Sequence, residues 1–107
     1  MSFINLTPHV ISIRHENGGD ITNIPPTGEV ARVTANSTLV AYEGAIPMYV
    51  TEYGEVTGLP APQEGVTYIV SGMVASAAPR KDVVSPGDLV RDAEGRPIGC
   101  KGLRLSL

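Results

Sequence analysis

The chain is poor in the residues that announce a chemistry. Its 107 residues include a single cysteine, Cys100, which excludes an internal disulfide and a multi-cysteine zinc site. A reducing, intracellular setting is the simplest expectation. The purely apolar runs are only a few residues long, too short for a membrane-spanning helix. Met1 to Asn5 has no basic start leading into an apolar core, which argues against a secretory signal. Basic residues are few, 8 against 11 acidic ones, for a net charge of −3. Duplex nucleic acid calls for a basic face, so none is expected as a partner. Catalytic signatures are lacking too: no Gly-x-Ser-x-Gly elbow, no Gly-Lys-Ser/Thr phosphate loop and no His-Glu-x-x-His. No base-and-nucleophile pair is visible, so no catalytic residue is assigned, no cofactor is expected, and a non-enzymatic role is preferred.

What the chain does have is turn residues. Glycine and proline make up 21 of the 107 residues, well above the roughly 12% of an average protein and below the level of a disordered chain. Together with 42% apolar residues, this points to a single domain over residues 1–107, built of short strands. Phe3–Leu6 and Val10–Ile13 read as one strand interrupted at Pro8, which cannot donate to a ladder. Asn17-Gly18-Gly19-Asp20 is a turn signal, with Ile21–Ile24 as the return strand. Glu29–Thr34 and Ser37–Tyr42 read as strands separated by a turn at Ala35-Asn36. Ile46–Thr51 is another, resuming after a bend at Gly54, and Val66–Val70 is the most β-prone run. A short helix is expected at about 71–78, with Ser71 as N-cap and Pro79 as stop. A last hairpin runs out over Leu89–Arg91 and back from Pro97 to Leu105. The fold class is α+β, mainly β: a twisted antiparallel sheet or a partly open small barrel, with that one helix.

Charge is unevenly spread. Residues 1–79 hold two arginines against seven acids, a net of −5, whereas residues 80–107 hold six cations against four acids, a net of +2. The stretch from Arg80 to Asp92 places Arg80, Asp82, Arg91 and Asp92 around a Ser85-Pro86-Gly87 turn. Arginine's planar fork suits phosphate, and an aspartate can orient it or accept from ribose hydroxyls. The same residues would serve equally well as an ion-pair net holding the loop to the hairpin. Arg32 interrupts an otherwise apolar strand and would need a partner if it faced inward. Ser71, at a strand-to-helix junction, offers free backbone N–H groups to an anion. His9 and His15 are six residues apart, but a metal site would need further ligands, and none is assigned. Cys100 lies in an apolar strand and reads as a core residue. Tyr42, Tyr49, Tyr53 and Tyr68 could stack on a base or pack a core.

Four blocks occur in order along nearly the whole chain. They are Asn5-Leu6-Thr7-Pro8-His9, then Val30-Ala31-Arg32-Val33, then Gly58-Leu59-Pro60-Ala61-Pro62-Gln63-Glu64-Gly65 with Tyr68-Ile69-Val70-Ser71, and last Val90-Arg91-Asp92 with Gly95 and Ile98-Gly99-Cys100. In these the chain resembles a family of small bacteriophage and prophage accessory proteins. The resemblance implies a setting, the cytoplasm of an infected bacterium, and brings no active site with it. By analogy with other small phage proteins, the expected function is counter-defence. The chain would be a sponge that sequesters a host immune signalling nucleotide, such as a cyclic ADP-ribose variant or a cyclic oligonucleotide, with Arg32, Arg80, Arg91, Asp82, Asp92, Ser71 and His9 as candidate ligand-binding residues. A subunit this small would need to form a homo-oligomer to enclose such a ligand. The alternatives are a virion accessory or protein-inhibitor role without a small ligand and, third, a signal-degrading hydrolase using His9.

Overall fold

The computed structural model describes residues 2–15 and 19–106; the Asn17-Gly18 part of the expected turn lies outside them. Among the described residues there are ten strands and one helix: β1 (Ser2–Asn5), β2 (Ile11–Arg14), β3 (Ile21–Ile24), β4 (Arg32–Glu43), β5 (Ile46–Thr57), β6 (Val66–Ile69), α1 (Gly72–Ala77), β7 (Val83–Pro86), β8 (Leu89–Arg91), β9 (Pro97–Cys100) and β10 (Leu103–Leu105). The architecture is therefore mainly β with one short helix. The strands form two four-stranded sheets, ordered β1-β6-β7-β10 and β3-β2-β9-β8, and a separate β4-β5 hairpin. None of these closes into a barrel. Both four-stranded sheets are mixed, with β1, β6 and β7 parallel to one another and β2 parallel to β9.

The β1-β6-β7-β10 sheet is the middle layer, which explains why Val66–Val70 is so apolar: it is covered on both sides. Tyr68, Val70 and Val83 pack with Leu6, Ala31 and the helix residues Val74 and Ala75. On the opposite face, Ile69 and Val84 pack with Ile11 and Cys100 of the second sheet. The helix starts where expected, with the Ser71 hydroxyl accepting from the Val74 N–H at 3.3 Å. The chain passes from β6 through this helix to β7, so that the helix lies on the sheet and supports the root of the hairpin.

Three expectations need correction. Residues 3–6 and 10–13 are not one interrupted strand: β1 and β2 belong to different sheets, because the chain turns between Asn5 and Val10. Pro97–Leu105 is likewise divided into β9 and β10, in different sheets. The largest difference is at Ala35-Asn36, where no turn forms. β4 and β5 run as one antiparallel pair of twelve residues each, from Arg32↔Thr57 to Glu43↔Ile46, with register shifts at Val33/Ala35 and Leu39/Ala41. Cross-strand pairing overrides the weak turn tendency of Ala-Asn. The tip is the two-residue loop Gly44-Ala45, where a φ of +60° at Gly44 alone is the type II′ pattern.

This hairpin extends about 40 Å at a strand's rise per residue. Only its root touches the core, through Val33 and Val56. It accounts for a Cα radius of gyration of 16.7 Å and an extent of 53 Å, against about 13 Å expected for a compact chain of this length. Among the described residues, no helix is long and apolar enough to cross a membrane.

Candidate functional site

A cleft of about 480 Å³ opens where the hairpin root, the β1–β2 turn and the helix meet. Leu6, Thr7 and Pro8 form one wall, Val30 to Thr34 with Thr57 the second, and Ser71, Met73 and Val74 the third. The volume is in the range of small-molecule sites. Arg32 is the one charged side chain in this lining; it is exposed, and among the described residues it makes no ion pair. Its backbone is paired with Thr57 across the hairpin, so its position is set by the ladder.

The wall at residues 5–9 is held by Asn5, which is 1% exposed. Its Oδ1 accepts from the Thr7 N–H at 2.9 Å and the Thr7 hydroxyl at 2.7 Å. Its Nδ2 donates to the carbonyls of His9 at 2.8 Å and Ile24 at 2.9 Å. The Asn5–His9 block is thus explained by structure: the amide uses both donors and both acceptor positions to fold the turn and tie it to β3. The His9 residue itself is exposed, and its carbonyl is what the turn uses.

The other candidates lie elsewhere. Arg80 is fully engaged: Nε donates to Asp82 Oδ1 at 2.9 Å, Nη2 to Asp82 Oδ2 at 2.5 Å and Nη1 to the Pro60 carbonyl at 3.0 Å. This fork clamps the Pro60 loop against the turn before β7. The hydrogen bond from Arg80 pulls the Asp82 carboxyl below its ordinary range, against the desolvation that would raise it. Arg91 Nη1 donates to the Gly95 carbonyl at 2.8 Å. Asp92 Oδ1 accepts from the N–H groups of Glu94 at 2.9 Å and Arg96 at 3.0 Å, capping that turn. Neither Arg80 nor Arg91 lines the cleft, so Arg32 and Ser71 are brought together while Arg80, Asp82, Arg91 and Asp92 are not. The Ser71 hydroxyl is occupied by the helix cap.

Three of the six cations of the last quarter are paired within it, as Arg80–Asp82, Arg96–Glu94 and Arg104–Asp88. Arg104, not singled out in the sequence, lines a second cleft of about 400 Å³ with Ser76, Ser85 and Ser106, between helix and β10. Its Nη2 is bound to Asp88 at 2.9 Å. Tyr68 is buried in the core, with its hydroxyl 3.4 Å from the Ala61 carbonyl, whereas Tyr42, Tyr49 and Tyr53 are exposed on the hairpin. Thr34, Thr57 and Met73 were missed, because only the hairpin register and the helix position bring them to the cleft. Among the described residues, no group of three His, Cys, Asp or Glu side chains is placed to hold a metal ion. No protein-family model, curated protein or solved structure matches the chain.

Proposed function

We propose that the chain is a non-enzymatic, phage-type binding protein that works as a homo-oligomer in the host bacterial cytoplasm and sequesters an anionic, nucleotide-derived signal. The observation that carries this reading is Arg32: an arginine without an ion-pair partner among the described residues, on the wall of a 480 Å³ cleft whose other lining residues are uncharged. Its fork would meet a phosphate, the hydroxyls of Thr34 and Thr57 are at hand for ribose, and the exposed Met73 offers an apolar surface for a base. The resemblance to small phage accessory proteins supports the setting.

The test is retention. The protein is incubated with a panel of cyclic oligonucleotides and cyclic ADP-ribose variants, separated from unbound ligand and heat-denatured, and the supernatant is read by mass spectrometry. Recovery of one intact ligand, reduced at least tenfold in Arg32→Ala, is the expected result. No retention across the panel overturns the reading, and an altered product replaces it with the hydrolase.

A second reading, an interaction protein without a small ligand, is favoured by a different observation: the exposed apolar side chains of the hairpin. Co-purification of one stoichiometric host or virion protein, lost on substituting those side chains, would support it.

A further inference from the structure

A two-stranded hairpin standing alone in water is marginal at best. Here two strands of twelve residues each run out from the core, and only Val33 and Val56 are even half-buried. Yet its composition is that of a covered element. Leu39, Val40, Tyr42, Ile46, Met48, Tyr49, Val50 and Tyr53 are all large, apolar and at least 43% exposed.

The register sorts these side chains. Directly paired residues share a face, and faces alternate along each strand. The pairs Ala35↔Tyr53, Ser37↔Thr51, Leu39↔Tyr49 and Tyr42↔Pro47 therefore lie on one side. Three of the chain's four tyrosines are on it, with no charged residue among them. On β4 this side continues the one that carries Val33 into the core. The opposite side pairs Asn36↔Glu52, Thr38↔Val50, Ala41↔Met48 and Glu43↔Ile46, and so bears Glu43 and Glu52. One face is neutral and aromatic; the other is acidic at intervals.

We propose that the neutral face is the contact between two copies of this chain, stacked hairpin against hairpin about a two-fold axis near the Leu39–Tyr49 pair. Area argues for it. The four large side chains alone expose on the order of 500 Å², and with the small residues between them the face approaches the roughly 800 Å² that each partner gives to a stable interface. Charge argues for a second copy in particular. A net charge of −3 makes copies repel, but Glu43 and Glu52 stand on the other side of the arm, so the paired residues of this face meet their own likeness with no charge to desolvate. Two-fold stacking places Tyr53 of one copy over Tyr42 of the other, and rings with polar hydroxyl tips suit such a half-wet contact. The inference rests on the homo-oligomer part of the proposed function and assigns its surface.

Neighbouring residues on opposite faces give the test. Sedimentation equilibrium is run on the wild type, Tyr49→Glu and Met48→Glu, each with its far-UV circular dichroism recorded. The wild type and Met48→Glu are expected at twice the mass of one chain, or a higher even multiple. Tyr49→Glu is expected at half that mass with an unchanged spectrum. Leu39→Lys, across the ladder from Tyr49, repeats the measurement if Tyr49→Glu loses its strand signal. An oligomeric wild type that Tyr49→Glu and Leu39→Lys leave intact, or that Met48→Glu dissociates equally, overturns the face while the oligomer stands. A monomeric wild type overturns both.

Discussion

Arg80 grips Asp82, two residues along the chain, with two parallel hydrogen bonds, while its third nitrogen holds the Pro60 carbonyl. The pair is mostly shielded, at 26% and 17% side-chain exposure. Because the Arg80 hydrogen bond holds the Asp82 carboxyl below its ordinary value, the stabilisation it brings is full above about pH 4, the unfolded value for aspartate. It is lost as pH falls through the lower folded value. The same pairing raises Arg80, so the arginine stays charged at every working pH. Asp82→Asn is therefore expected to lower Tm at neutral pH by roughly 4–8 °C, for about 1 kcal/mol. The gap to the wild type should narrow below about pH 4. Melting curves between pH 7 and pH 2.5 check this; a gap constant with pH would deny the ion pair its role.

Asn5 makes four hydrogen bonds at 2.7 to 2.9 Å from a site that is 1% exposed. Asn5→Ala takes a partner from the buried Thr7 N–H and from the Ile24 carbonyl, while the Thr7 hydroxyl and the His9 carbonyl keep each other at 3.1 Å. The expected cost is about 3 kcal/mol, from the desolvation of groups that water cannot easily reach. Asn5→Asp should cost nearly as much, since a carboxylate cannot donate to the His9 and Ile24 carbonyls. Urea titration of the three proteins measures both. A loss below 1 kcal/mol for Asn5→Ala would mean that the turn holds without its amide.

The strand-rich class, the helix and its Ser71 cap were legible in the sequence because each rests on local chemistry: turn residues, an N-cap hydroxyl and a β-branched run at Val66–Val70. The topology was not. Whether Pro8 bends one strand or divides two depends on Asn5 reaching Ile24, nineteen residues away. The long hairpin was hidden for a similar reason. Ala35-Asn36 looks like a turn until its partners Tyr53 and Glu52 are known, and the shift at Leu39/Ala41 breaks the alternation that would have marked one face. Of the candidate site, Arg32 and Ser71 were placed together by the fold. Arg80, Asp82, Arg91 and Asp92 have the residue types of a phosphate site, but short-range geometry engages them with one another or with nearby backbone.

Gly58 ends the hairpin at a backbone φ of +79°, and a Cβ there would stand 2.6 Å from the Val30 carbonyl oxygen. Both strain and collision oppose any side chain, and the obstacle is backbone rather than a yielding side-chain tip. Gly58→Ala is expected to cost more than about 2 kcal/mol. Since Val30 and Ala31 line the cleft, it should also weaken ligand retention, and by more than the fraction unfolded accounts for. Thermal melting and the retention assay on the same preparation separate the two effects. Unchanged Tm would place the Val30 loop farther from Gly58 than the fold has it.

Cys100 is 3% exposed among Ile11, Ile69 and Val84, between the two four-stranded sheets. A thiol so placed is a small apolar core residue, and its accessibility reports opening of the sandwich. Ellman's reagent is expected to leave it untouched in the native protein and to titrate one thiol per chain in denaturant. Cys100→Ser, which buries a hydroxyl among apolar side chains, should cost about 1–3 kcal/mol. Cys100→Ala should cost less than the serine, because the gap it leaves is small and holds no unpaired polar atom. The serine–alanine order is the discriminating measurement. A serine variant more stable than the alanine one would show a polar partner at Cys100, and rapid labelling of the native thiol would show that the two sheets separate readily.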